Sequence, residues 1–326
     1  MAVELEVIST ELWIIFFTIL SITIAIDLGL MHKIKRKLAK IPKTETEHVM
    51  SVKEALGWTI TWISLAGVFA GVIYFALGNE KMIEFVTGYT LEKSLSVDNM
   101  FVFLLVFTTL GIPHKYQHRV LSMGILSAIA MRIGIILVGA TLLDKFHWMI
   151  YIFGGMLLYT AIRMILQKEE KKIELEKNIA VRILKKFMPV NLSLVGSKFI
   201  VPINGVLHAT PLLVALAIVE LTDLVFAMDS IPAVLAITRD PFIVITSNVF
   251  AILGLRALYF LIGGMMERFH YLKPGLIVLL LFIGTKMMIS EVYPIPTATS
   301  LIIVFIILAV VIVASLLKKP KTVKQE

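Results

Sequence analysis

Residues 209–235 are apolar enough to cross a membrane, yet they hold three carboxylates, Glu220, Asp223 and Asp229, within VELTDLVFAMDSI at 219–231. An ionised carboxylate at the centre of a bilayer costs about 3 kcal/mol or more unless it is paired, hydrated or bound to a cation. Packing alone does not choose three acids in ten residues. A second stretch repeats the pattern. LEKSLSVDNM at 91–100 places Glu92 six residues before Asp98-Asn99, as Asp223 stands six residues before Asp229-Ser230. The rest of the chain reads as scaffold for these two stretches.

The chain is 58% hydrophobic and only 17% charged, which predicts a polytopic, all-α membrane protein in contact with a lipid bilayer. At about 20 apolar residues per crossing, there is room for about nine transmembrane helices. Cysteine is absent, so disulfides, thiolate metal sites and Cys nucleophiles are excluded. Any metal must be held by oxygen or by one of seven histidines. The net charge of +8 lies in loops beside apolar segments, so no nucleic-acid partner is expected. The first residues are acidic (Glu4, Glu6, Glu11), and no Lys or Arg precedes Lys33, which is unlike a cleavable signal peptide.

The expected spans are 12–30, 58–78, 84–110, 119–142, 148–166, 209–235, 241–264, 274–292 and 298–317. With that division, 24 Lys and Arg fall on one side of the membrane and three, Lys81, Lys145 and Arg239, on the other. The asymmetry puts the N-terminus outside and the C-terminus in the cytoplasm.

The repeat extends beyond the acidic helices. Arg132 and Gly139 match Arg256 and Gly263 at the same spacing, and Tyr159 and Arg163 match Phe282 and Lys286. Two three-helix units follow, at 84–166 and 209–292. An odd number of spans per unit makes them inverted repeats, the plan of many secondary transporters. Residues 1–83 supply two N-terminal helices and a basic cytoplasmic loop. Residues 167–208 link the units through an amphipathic segment lying on the cytoplasmic surface and a short hairpin turned at Asn204-Gly205. Residues 293–326 supply a ninth helix and a basic cytoplasmic tail.

In a straight helix, residues six apart are turned by roughly 240° and displaced by about 9 Å. Glu92 and Asp98 then do not share one small ion, whereas Glu220 and Asp223 share a face. Either the helices break near the acids, or the acids are successive stations on a path. Pro232 cannot donate to the carbonyl of Met228 and favours a break in the 209–235 span. The 84–110 span has no matching proline.

The in-span acids Asp27, Glu92, Asp98, Glu220, Asp223 and Asp229 outweigh Lys93, Arg132 and Arg256 by three charges, or by two if Lys286 reaches in. Such an excess calls for a bound cation, protons or both. The candidate ligands are Glu92, Asp98, Glu220, Asp223 and Asp229, with Asn99, Thr222 and Ser230 as candidate neutral ligands. These are hard oxygen donors, suited to Mg²⁺, Ca²⁺ or Mn²⁺ rather than copper or zinc. Arg132, Arg256 and Lys93 read as structural counter-charges. His114 and His118 read as surface residues, and the sixteen Met as core or lipid contacts. No H-E-x-x-H, G-x-S-x-G or phosphate-cradling loop is present, and an aspartyl protease built on Asp98 and Asp229 leaves the other acids unexplained. The chain is therefore not expected to be an enzyme, and no prosthetic group is expected.

LEKSLSVDNMFVF at 91–103, ATPLLVALAIVELTDLVFAMDSIPAVLAITRDPFIVITSNVFAILGLRALYFLI at 209–262 and ERFHYLKPGLIVLLLFIGTKM at 267–287 carry a resemblance. The chain resembles the TerC family, and within it the Alx-type inner-membrane proteins of bacteria. The likeness runs over nearly the whole chain. It implies a nine-helix inner-membrane protein of the wider LysE-like transporter group, exporting Mn²⁺ at metal excess and notably at alkaline pH. The acids implicated in that family match Glu92, Asp98, Glu220, Asp223 and Asp229.

The resulting expectation is a divalent-cation exporter with Mn²⁺ as transported substrate, coupled to protons taken up by the acids as metal leaves. The alternative is a non-transporting membrane component of a tellurite or stress-resistance complex, in which the acids hold the helices together.

Overall fold

The computed structural model describes residues 2–27, 50–146, 148–166, 178–263 and 271–317. Helix α1 (Ala2–Asp27) belongs to a separate unit, residues 1–49, and is apolar over Thr10–Ile26, where Trp13 stacks on Phe17. The Asp27 side chain lies outside the described residues.

The second unit opens at Ser51, whose side chain accepts the Glu54 N–H. With Glu three residues after Ser, the sequence has the reciprocal cap that starts a helix. Helix α2 (Val52–Leu77) follows, then α3 (Asn79–Thr109), α4 (His114–Lys145) and α5 (Met149–Leu166). A short helix α6 (Ile179–Phe187) leads to the hairpin β1 (Ile200–Ile203) and β2 (Val206–Ala209). Asn204 and Gly205 turn it with φ of 51° and 79°, the left-handed pair that fits the twist of two antiparallel strands. The chain then forms α7 (Pro211–Leu235), α8 (Pro241–Ile252), α9 (Leu255–Gly263), α10 (Leu272–Met288) and α11 (Thr297–Leu317).

Among the described residues, α2, α4, α5, α7 and α11 are each long and apolar enough to cross a membrane. Helices α8 and α9, bent by 41° at their junction, make a sixth crossing if taken together. Helix α3 has 31 residues, about 46 Å of helix, and carries Glu84, Glu92, Lys93 and Asp98 along it. The chain is an all-α membrane protein.

The expected break at Pro232 does not occur. Helix α7 is continuous from Pro211 to Leu235, with Pro232 in its last turn, where the proline costs one hydrogen bond and does not end the helix. Helix α3 is also continuous. The discontinuity falls one helix later, at Leu253-Gly254. Gly254 takes φ +84°, and a Cβ there would sit 2.5 Å from Cδ1 of Trp62 on α2. A residue without a side chain is needed both for the conformation and for the approach.

Helix α3 packs against α2, α7, α8 and α11, and α4 packs against α7 and α8. Helices α5 and α10 form the most intimate pair, crossing where a Cβ on Gly284 would lie 3.1 Å from the carbonyl oxygen of Gly154. Leu91, Leu157, Ala233, Leu280, Met287 and Val304 join α3, α5, α7, α10 and α11 in one buried cluster. The acidic faces of α3 and α7 are thereby turned toward each other and toward α4.

Candidate ion-binding site

Arg132 lies in the middle of α4 and is fully buried. Its Nε donates to Asp223 Oδ2 at 3.1 Å and its Nη2 to Asp223 Oδ1 at 2.8 Å. Its Nη1 donates to Glu92 Oε1. Glu92 is 0% and Asp223 4% exposed, so three charged groups from α3, α4 and α7 meet out of water. The planar guanidinium holds its donors in a fixed fork, so Nε and Nη2 pair with both oxygens of Asp223 while Nη1 reaches Glu92, a geometry a compact ammonium does not offer. The cluster carries two negative charges and one positive. The second oxygen of Glu92, Oε2, is buried without a protein partner.

The two acids that the repeat equates, Glu92 and Asp223, are thus brought to one arginine. Arg132 is the cation that lies between them. Arg256 lines the same small cavity as Glu220 and Asp223, and its Nη1 donates to Ser122 Oγ of α4 at 3.4 Å. Lys93 departs from the expected role. Its Nζ donates to the carbonyl of Ala251 at 3.1 Å. Because α8 ends at Ile252, the Ala251 carbonyl lies in its last turn beyond the helical ladder, and the ammonium supplies a donor.

Glu220 lies one turn before Asp223, on the shared face that their spacing predicts. It accepts a 2.6 Å hydrogen bond from Ser127 Oγ of α4. It lines a cavity of about 20 Å³ with Asp223, Phe103, Leu255 and Arg256. Asp229, further along α7, accepts from Thr160 Oγ1 of α5 at 2.9 Å. Ser127 and Thr160 are site residues that sequence reasoning missed. Ser127 is on α4 and Thr160 on α5, and only the folded contact with α7 gives each its meaning.

The neutral candidates differ from one another. Ser230 is buried and its hydroxyl has no protein partner. Thr222 spends its hydroxyl on its own helix, donating to the Ile218 carbonyl at 2.7 Å. Asn99 is buried on α3. The Asp98 side chain lies outside the described residues. Among the described residues, no three Asp, Glu or His side chains come together as a metal-holding group. Two of the acids are engaged by Arg132, and Asp229 lies about 9 Å beyond Asp223 along the helix. The continuous acid helices leave the second sequence option, a series of separate carboxylates along α7.

A family model described as the integral membrane protein TerC family matches residues 77–323. The chain belongs to the TerC family. The Myxococcus xanthus membrane protein STKORF319 is 45% identical over 310 residues, 95% of this chain and 93% of that protein. A Salmonella typhi protein called a membrane-bound redox modulator, Alx, is 47% identical over 274 residues, 82% of this chain and 85% of that one. The Alx protein of Escherichia coli K12 is 43% identical over 305 residues, 91% of each chain. No solved structure matches. As a TerC protein with such relatives, the chain is a membrane protein over essentially its whole length, and its buried acids lie inside the matched region.

Proposed function

We propose that this TerC protein is a secondary transporter that exports divalent metal cations, Mn²⁺ first among them, from the bacterial cytoplasm across the inner membrane. The observation that carries the reading is the buried Glu92–Arg132–Asp223 cluster, which keeps a net negative charge on two repeat-related helices with further acids beside it. Glu92, Asp98, Glu220, Asp223 and Asp229 bind the ion in turn, with Asn99, Thr222 and Ser230 as neutral ligands. In the ion-free site Arg132 supplies the positive charge that the metal supplies on binding. One or more acids take up a proton as the metal leaves, coupling export to a proton gradient.

The helix contacts support two inverted units of three spans. Helix α3 packs on α8 as α7 packs on α4, and the third helices, α5 and α10, pack on each other. Such exchange is what a pseudo-two-fold axis produces. With α1, α3 and α10 also taken as spans and α8 with α9 as one broken span, the reading has nine crossings, with the N-terminus outside and the C-terminus in the cytoplasm. Discontinuous helices near the substrate site recur in transporters built this way.

The relatives' description as redox modulators belongs to those proteins. This chain has no cysteine and so no thiol for exchange, and a redox effect here would run through the metal it moves.

One observation favours a second reading, a non-transporting membrane component of a tellurite or stress-resistance complex. Arg132 engages both Glu92 and Asp223, as a purely structural bridge would. Purified protein in vesicles carrying a Mn²⁺ gradient and an internal metal-sensing dye separates the two. Export predicts Mn²⁺ flux that stops in Asp229→Asn at unchanged protein content. The scaffold reading predicts no flux from wild type and loss of protein in the variant.

A further inference from the structure

The acidic side of the site has a neutral counterpart. The spacing that equates Glu92 with Asp223 and Asp98 with Asp229 equates Glu220 with Tyr89. The spacing that equates Arg132 with Arg256 equates Gly124 with Asn248 and Ser127 with Ala251. In the first of these places Glu220 accepts from Ser127, and a Cβ on Gly124 would lie 3.3 Å from its Oε1. The second place has a tyrosine for the acid and an amide for the glycine.

Two contacts fix how α3 meets α8 there. A Cβ on Gly88 would lie 2.9 Å from Ser247 Oγ, and Lys93 Nζ donates to the Ala251 carbonyl. Tyr89 and Asn248 stand between those contacts. Phe250, two residues after Asn248, stacks on Phe69 of α2 at 4.7 Å. Two residues along a helix are turned by roughly 200°, so Asn248 is on the flank away from α2.

Asn248 is fully buried, and neither its amide oxygen nor its amide nitrogen has a protein partner. The Tyr89 hydroxyl and Ser230 Oγ are buried in the same condition, as is Glu92 Oε2. Ser230 is one turn before Val234, whose Cγ1 would lie 3.1 Å from that Cβ on Gly88. Tyr89, whose ring stacks on Phe85, and Glu92 are on α3, and Ser230 and Asn248 are on α7 and α8, the two helices that approach α3 at Gly88. Orphaned buried polar atoms are rare and costly in a folded chain, and several on three adjoining helices point to a polar ligand.

We propose that Asn248, Tyr89 and Ser230, with the second oxygen of Glu92, form a weaker station for the same divalent cation. The proposal rests on the transport reading above. Along α7, Ser230 lies on the far side of Asp223 from Glu220. The donors are all hard oxygens, but only one is a carboxylate, and affinity for such ions follows the charge of the ligand set. An ion passing from Glu220 and Asp223 to this station moves from tighter to looser binding. In the proposed orientation Tyr89 is nearer the outer end of α3 than Glu92, so the looser station is the release side.

The test uses the full-length protein with Mn²⁺ as probe. Binding is read from the paramagnetic resonance of free Mn²⁺ and flux from vesicles, for wild type, Asn248→Asp, Asn248→Leu and Tyr89→Phe. Asn248→Asp turns the looser station into an acidic one. It should bind Mn²⁺ roughly tenfold more tightly and lower the maximal flux. Asn248→Leu and Tyr89→Phe should raise the KM for Mn²⁺ by severalfold. Should the leucine variant fail to fold, Asn248→Asp and Tyr89→Phe decide. Unchanged binding and flux in both overturn the station and leave transport standing. A wild type that binds Mn²⁺ without moving it, and binds it more tightly as Asn248→Asp, overturns transport and keeps the station. A wild type that binds neither Mn²⁺, Ca²⁺ nor Mg²⁺ overturns both.

Discussion

Arg132 and Asp223, 91 positions apart in the chain, are joined by two parallel hydrogen bonds of 3.1 and 2.8 Å in a fully buried setting. The bond makes α4 the partner of α7. It also puts a permanent cation at the acid on which the ion-binding reading most depends. A divalent ion that takes Asp223 must loosen Arg132 from it, so binding and a change of contact between α4 and α7 are one event. That is the physical requirement for a ligand to shift a conformational equilibrium.

Removing the arginine should cost more than removing either acid. Arg132→Met leaves Glu92 and Asp223 buried and unpaired, a loss of about 3–5 kcal/mol. The expected outcome is a sharp fall in membrane abundance and in the midpoint of thermal unfolding in detergent. Combining it with Glu92→Gln and Asp223→Asn should recover much of the loss, because the uncompensated charge is gone. An Arg132→Met protein as stable as wild type would contradict the geometry.

A second polar network ties the start of α3 to the α7–α8 connection. Lys81 Nζ is 2.8 Å from Glu84 Oε2 and 3.4 Å from Asp240 Oδ2, and Thr238 Oγ1 donates to Glu84 at 2.7 Å. Burial alone would lower the Lys81 pKa, but the hydrogen bond and charge of Glu84, with Asp240, outweigh it and hold the ammonium above its usual 10.5. A raised folded-state pKa adds stability that is complete below 10.5 and lost as pH climbs through the raised value. Thermal unfolding followed from pH 9 to 12 should show that loss in wild type and not in Lys81→Met, on the order of 0.5 kcal/mol for a partly exposed pair. Glu84→Leu should cost more, about 1–3 kcal/mol, because it strands the Thr238 hydroxyl in a buried site.

Gly254 should tolerate no side chain. Its φ of +84° costs about 1–2 kcal/mol for an alanine, and the contact with Trp62 adds about 1–3 kcal/mol of overpacking. Gly254→Ala should lower the unfolding midpoint by several degrees. Adding Trp62→Ala relieves the crowding but not the backbone conformation, so recovery should be partial. Full recovery would mean that the left-handed backbone costs nothing here.

The acidic pattern was legible in the sequence because a carboxylate inside an apolar helix has few physical alternatives. Glu92 and Asp223 could be equated by spacing alone, and Asn204-Gly205 announces its turn because few residue pairs adopt left-handed backbone twice. The arginine's division between two helices was not legible, since it depends on which helices touch. Lys93 looked like a partner for the acids because charge was the only signal, and its true acceptor is a carbonyl that exists only because α8 stops. Pro232 drew attention away from Gly254. A proline in a last turn changes little, whereas a glycine in an apolar run carries no sign of the bend it permits. Ser127, Thr160 and Asn248 are ordinary residues by type: the first two are distinguished by their hydrogen bonds to Glu220 and Asp229, and Asn248 by its burial.

The most direct measurement is total cellular manganese in a manganese-sensitive bacterium challenged with Mn²⁺. The strains would express wild type or Asp223→Asn at matched membrane levels. Asparagine keeps the shape of the side chain and removes its charge. The transport account predicts lower manganese with wild type and the empty-vector level with Asp223→Asn. Equal lowering by both proteins would contradict it, since the acid held by Arg132 would then play no part in moving the ion.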